Sequence, residues 1–164
     1  MTLKKVLFLD FDGVLNHEEY YKRTLVERLT KPHRVYAEEF DEHSMECLNR
    51  IVSETGAVIV VSSSWRGGGR DYVEEVLYKN GFKGEVVGTT PYTIESMTHS
   101  ILRGDEIKKW LDFNTVENYA IVDDCGENCF LPEQLPHFVQ VDDNGHGLGD
   151  EEADMLIKIL NNNA

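Results

Sequence analysis

The sequence is poor in cysteine, in basic charge and in long apolar runs, and each shortage excludes something. Three cysteines (Cys47, Cys125, Cys129) leave one thiol over in any pairing. That argues against a disulfide-built secreted scaffold and for a reduced, cytoplasmic protein. The longest apolar stretch is Ala57-Val58-Ile59-Val60-Val61, far short of the ~18 residues that a membrane helix needs. Met1 to Lys5 carries no apolar core of a secretion signal. Sixteen basic residues against thirty acidic ones give a net charge of −14, which opposes non-specific binding to duplex nucleic acid. No membrane partner is expected.

What is present suits a soluble globular chain. Hydrophobic residues make up 41% and charged residues 28% of the 164, which predicts one domain over 1–164, large enough to bury a core without staples. The runs Val6–Leu9, Ala57–Val61 and Tyr119–Val122 are continuously apolar, as strands hidden on both faces are. Glu85–Gly88 and Phe138–Val141 are weaker strand candidates. Between them lie helical patterns over Phe40–Glu54, stopped by Gly56, and Asp71–Lys79, stopped by Asn80-Gly81. Asp105–Leu111 and Glu151–Leu160 repeat the pattern. This alternation predicts an α/β fold, a doubly wound parallel sheet of about five strands, whose ligands bind beyond the carboxyl ends of the strands. Residues 16–39 are too long for the usual strand-to-helix connector of ~2–6 residues and are predicted to form a small helical flap.

The charge is unevenly spread. Lys22, Arg23, Arg28, Lys31 and Arg34, with Glu27 as the one acid among them, make a stretch of +4 against −18 for the rest. Such a strip is either a docking place for an anion or a solvated helix face.

Polar residues gather where the strands end. Asp10 and Asp12 follow the first run at i, i+2 and would project in the same sense from an extended backbone. Gly13 permits the turn that keeps both at the rim. Paired carboxylates repel until a proton or cation intervenes, and Mg²⁺ prefers one or two carboxylates with water and phosphate oxygens. Asp123-Asp124 ends the fourth run and adds oxygens at the same rim. Ser62-Ser63-Ser64-Trp65-Arg66 ends the second, with hydroxyls and amides suited to a tetrahedral oxyanion. Arg103 precedes the fourth strand and supplies a cation.

These residues carry a family resemblance. Phe8-Leu9-Asp10-Phe11-Asp12-Gly13-Val14-Leu15 resembles the first motif of the haloacid dehalogenase (HAD) superfamily in its phosphatase form. Val58–Ser62, Arg103 and Ile121-Val122-Asp123-Asp124 resemble its second, third and fourth motifs, in the family's order. Ser62-Ser63-Ser64-Trp65-Arg66 with Arg103-Gly104-Asp105-Glu106-Ile107 is similar to the small HAD domains of bacterial and phage RNA-repair proteins. The resemblance implies a phosphomonoester hydrolase in which Asp10 is the nucleophile that becomes an aspartyl-phosphate. Asp12 would protonate the leaving oxygen and then deprotonate the hydrolytic water. Mg²⁺ would be held by Asp10, the Asp12 main-chain carbonyl, Asp123 and Asp124. Ser62 and Arg103 would bind phosphate oxygens, helped by Gly13, Ser63 and Arg66.

The family's third motif is more often Lys, so Lys108 and Lys109 compete with Arg103. The twenty residues from Arg103 to Asp123 suit one helix and a short loop, which favours Arg103. A small flap leaves the site open to a phosphate on a larger body, such as a nucleic-acid 3′ end. It equally suits a nucleotide pinned by Arg23, Arg34 and Tyr20 or Tyr21. The alternatives are a receiver-like signalling domain and a degenerate HAD domain that binds without turnover. His17 is expected to face solvent and Trp65 to pack beneath the second-motif loop. Cys125-x3-Cys129 lacks the further ligands of a zinc site.

Overall fold

Four consecutive side chains that water does not reach put β1 (Thr2–Leu9) at the centre of the sheet. Val6, Leu7, Phe8 and Leu9 are each 0% exposed, as a strand covered on both faces requires. The structure is a computed structural model that describes residues 2–31, 38–92, 103–142 and 145–162. β1 pairs in parallel with β2 (Val58–Val61) on one side and β4 (Thr115–Asp123) on the other. β3 (Val86–Thr89) and β5 (Phe138–Gln140) complete the order β3-β2-β1-β4-β5 with every pair parallel. This is the five-stranded α/β sheet that the sequence predicts.

Successive residues of each strand serve opposite cores. Leu7, Leu9, Ile59, Val61, Ala120 and Val122 join the core that holds α3 (Glu42–Thr55), α4 (Arg70–Lys79) and α6 (Asp150–Asn161). Val6, Phe8, Val60 and Ile121 face the other way, onto Ile107 and Trp110 of α5 (Arg103–Phe113) and onto Phe130. β1 and β4 extend beyond their apolar runs, because polar ends such as Thr2 and Thr115 still pair through their backbones. α3 stops where expected: Gly56 takes φ +73° and its N–H caps the Val52 carbonyl, a conformation that glycine adopts cheaply.

The predicted flap contains two short helices, α1 (Glu18–Arg23) and α2 (Leu25–Thr30). Arg34 lies outside the described residues. No helix among the described residues is long and apolar enough to cross a membrane.

Two expectations are corrected here. His17 does not face solvent: its side chain is fully buried, with Nε2 2.8 Å from Asp41 Oδ2 and Nδ1 accepting from the Tyr20 N–H. A buried carboxylate supplies the partner that lets an imidazole leave water. The cysteines are not all reduced either. A turn over Glu127–Cys129 brings Cys125 and Cys129 to a Cα separation of 6.2 Å, and they form a disulfide, a spacing within the range of such bridges. Cys47 remains as the buried free thiol.

Asp41 also receives Arg23 Nη2 at 2.5 Å. Burial alone would raise its pKa, but the hydrogen bonds from His17 and Arg23 outweigh that and hold it well below the usual carboxylate range. A depressed folded-state pKa contributes stability above the unfolded value of about 3.9 and loses it as pH falls further. The expected result is that wild type and Asp41→Asn differ in denaturation midpoint by a constant amount above about pH 5. The difference shrinks below about pH 4. A pH-independent gap in urea melts would reject this account.

Candidate active site

The register brings the site together. Leu9 of β1 pairs with Val61 of β2 and with Val122 of β4, so the three strands end level. The residues that follow, Asp10 and Ser62 just past their strands and Asp123 as the last of β4, therefore lie at one carboxyl rim. Strand order also reverses about β1, which is where open α/β sheets bind ligands. By contrast, a surface hollow of about 740 Å³ lined by Asn49, Gly56, Lys83 and Glu85 lies at the amino end of β2, away from these groups.

Asp10, Asp123 and Asp124 offer carboxylate oxygens that all lie within 4.8 Å of one another. Asp10 and Asp123 are buried and Asp124 is half-buried. Burial first, then the Asp123 charge, raises the Asp10 pKa well above its ordinary value, against the opposing Arg103. Burial pushes Asp123 up to about 6, again against Arg103. Asp10 Oδ1 accepts the Phe11 N–H at 2.9 Å, and Asp123 Oδ1 accepts the Cys125 N–H at 2.9 Å. Asp123 Oδ2 is buried without a hydrogen-bond partner among the described residues. Arg103 Nε stands 3.0 Å from it, but not aligned to donate. Gly13 lets the acidic group close: at φ +82°, a Cβ there would come within 2.4 Å of Asp124 Oδ2.

Arg103 opens α5 and reaches back to the rim. Its Nη1 is 3.7 Å from Asp10 Oδ1 and also donates to the Ser62 carbonyl. Lys108 instead pairs with Asp112 on an exposed face at 3.1 Å, so Arg103 is the cation that the fold brings here. The Ser62 hydroxyl is buried with no hydrogen-bond partner among the described residues. A donor left open beside a carboxylate has the chemistry of an oxyanion ligand.

Asp12 departs from the expected parallel projection. The chain turns at Gly13 and forms an isolated bridge between Asp12 and Asn16, which swings the Asp12 side chain out of the acidic cluster to an exposed position. There Trp65 Nε1 donates to Oδ2 at 3.0 Å and Asn16 Nδ2 to Oδ1 at 3.1 Å. Trp65 thus packs as expected, on Phe11, Phe40 and Tyr72, and in addition holds Asp12. Sequence reasoning missed both donors, although Asn16 is only four residues from Asp12.

Other residues singled out in the sequence have different employment. Ser63 Oγ accepts the Trp65 N–H and caps the 3₁₀ turn Ser64–Gly68. Arg66 is buried, donating to Glu106 and to the Ser63 carbonyl, with its guanidinium 4.1 Å from the Tyr92 ring centroid. Much of the cationic strip is already paired: Lys22 with Glu18, Lys31 with Glu27, and Arg23 with Asp41. Arg28 lies 5.5 and 5.2 Å from the Tyr20 and Tyr21 ring centroids. Burial and then the Asp12 charge raise the Tyr21 phenol above its ordinary value.

A family model for the HAD domain in Swiss Army Knife RNA repair proteins matches residues 6–153. No curated protein and no solved structure matches the chain.

Proposed function

The chain belongs to the HAD domain family of Swiss Army Knife RNA repair proteins, and on that membership we propose that it hydrolyses phosphomonoesters through an aspartyl-phosphate on Asp10. The observation that carries the reading is the shared rim of Asp10, Asp123 and Asp124 with Arg103 and the open Ser62 hydroxyl. Asp10 attacks phosphorus as the bond to the leaving oxygen breaks, and Asp12 gives that oxygen its proton. Asp12 then takes a proton from the water that cleaves the Asp10–phosphate bond. Arg103 and Ser62 hold the phosphate oxygens throughout. Mg²⁺ fits the donor set of buried, crowded carboxylates with an unsatisfied Asp123 oxygen, and would be held by Asp10, Asp123 and Asp124 with the Asp12 carbonyl. When bound it supplies charge neutralisation for the carboxylates and the phosphoryl group.

The strand order separates this site from a receiver domain, whose sheet runs 2-1-3-4-5. The substrate we favour is a nucleotide or a nucleic-acid 3′-phosphate. The flap is small, it carries the exposed Tyr21, and the family is named for RNA repair proteins. Phosphate release would be measured from 3′-phosphorylated oligonucleotides, mononucleotides and sugar phosphates, with Mg²⁺ and with EDTA. Turnover of either nucleic-acid class, lost in EDTA, is the expected result. Inertness toward both alongside turnover of sugar phosphates would remove the nucleic-acid reading.

Trp65→Phe tests how Asp12 is held. The ring packing is retained and one donor is lost, so kcat falls about tenfold, a fraction of the ~10²–10⁴ that a general acid–base contributes. An unchanged kcat would mean that the Trp65 hydrogen bond has no part in turnover.

A further inference from the structure

A second group of ligand-type side chains lies where α3 meets α6, apart from the rim. His43 and Cys47 are one turn apart on α3 and so share a face, while Asp150 is the first residue of α6. His43 Nε2 lies 3.7 Å from Cys47 Sγ and 3.4 Å from Asp150 Oδ2, and Cys47 Sγ lies 3.6 Å from Asp150 Oδ1. The ligand atoms all fall within 4.8 Å of one another.

Hydrogen bonding accounts poorly for this triangle. The thiol can donate to Asp150 and the imidazole N–H to sulfur, but the 3.4 Å imidazole–carboxylate edge is long for a hydrogen bond. The two contacts to Asp150 use its two different oxygens, and an ion held by one of them, the imidazole and the thiolate needs spacings of the same size. Bonds of about 2.0 Å to nitrogen and oxygen and about 2.3 Å to sulfur require an N–O edge of about 3.3 Å and edges to sulfur of about 3.5 Å. The donor set also selects the ion: thiolate with imidazole and carboxylate suits zinc, whereas the oxygen-only rim suits magnesium.

We propose that His43 Nε2, Cys47 Sγ and an Asp150 carboxylate oxygen form a zinc-binding site whose fourth position is open to water. His43 and Asp150 side chains are 53% and 71% exposed, which gives the ion its entry, while the thiol is seated in the core. Glu46 Oε2 lies 3.7 Å from His43 Nδ1, the ring nitrogen that the ion would leave free. Arg50 donates to the Asp150 carbonyl but pairs its charge with Asp154 and Glu54. Cys47 releases its proton to solvent on binding, and the thiolate and Asp150 then neutralise the ion. Binding displaces the thiol proton, so affinity rises with pH.

The ligands are distant in sequence, with Cys47 and Asp150 103 residues apart. The ion ties the start of α6 to α3 behind the catalytic turn, where the Leu148 N–H meets the Val14 carbonyl and Ser44 Oγ donates to the Leu148 carbonyl.

Co²⁺ is the probe. In a Cys125→Ser/Cys129→Ser background Cys47 is the sole thiol, so a thiolate-to-metal charge-transfer band reports on this cluster and not on the carboxylate rim. One equivalent of Co²⁺ is expected to give that band with tetrahedral visible absorption, and Zn²⁺ to bleach it. His43→Ala, a change at an exposed residue, weakens binding by more than ~100-fold, beyond the cost of losing an outer partner. In the unmodified chain, saturating Zn²⁺ raises Tm by about 5 °C, and this shift persists in Asp10→Asn and disappears in His43→Ala. Absence of the thiolate band, or a Zn²⁺-dependent shift that survives His43→Ala, overturns the proposal.

Discussion

Asp10→Asn is expected to lose at least ~10⁴-fold in turnover while melting no lower than wild type in EDTA. The activity loss follows because an amide oxygen cannot replace the carboxylate that attacks phosphorus, and nucleophile deletions cost of this order or more. The stability result follows from the site's electrostatics. Asp10 is buried against Asp123, and burial and then that charge raise its pKa, so the ionised form is unfavourable without a cation. Asparagine keeps an acceptor for the Phe11 N–H and removes the repulsion. Sites of this kind exchange stability for function. The two measurements are phosphate release on the best substrate and a thermal melt in chelator. Residual activity within tenfold of wild type would exclude Asp10 as the nucleophile.

Glu106→Ala is expected to cost about 3–5 kcal/mol, the range for stranding one member of a buried ion pair. In Tm the loss is about 10 °C for a chain of this size. Arg66 would be left buried, with Nε already lacking a partner and, among the described residues, the Ser63 carbonyl and the Tyr92 ring to face. The pair has a second consequence. Arg66 pins the turn that follows β2, so its release disturbs the position of Ser62 and lowers activity in whatever fraction stays folded. Replacing both charges, as Arg66→Met with Glu106→Leu, is expected to recover most of the stability, because no buried charge is then unpaired. Urea unfolding of the two single variants and the double decides the matter. A Glu106→Ala loss below about 1 kcal/mol, the scale of a surface pair, would show that solvent reaches Arg66.

How much of this was legible beforehand depended on the range of the interaction. The apolar run Val6–Leu9 announced a strand covered on both faces, and it is the most deeply buried stretch of β1. Gly56 announced the end of α3 because the αL requirement is local. The strand-end acids and serine were visible because each follows a run of its own. Pairings across the chain were invisible. Trp65 and Asp12 are 53 residues apart, and Arg66 and Glu106 are 40. No periodicity links such positions. The Asn16–Asp12 contact hides for a different reason: it depends on the turn at Gly13, whose φ of +82° a sequence permits but does not dictate. His17 misled because a histidine in a polar segment reads as exposed until Asp41 is seen beside it.

The order of apolar runs and the residues that end them determined, with no structure at hand, the parallel α/β sheet and the identity of its rim: Asp10, Ser62, Asp123 and Asp124. Backbone sterics and hydrophobic burial act over a few residues, and a sequence records them directly. Only the tertiary structure decided which cation reaches Asp10, which donors hold Asp12, where Arg66 spends its charge and which cysteines meet. Those outcomes depend on register and helix placement, where a shift of one residue turns every side chain to the opposite face.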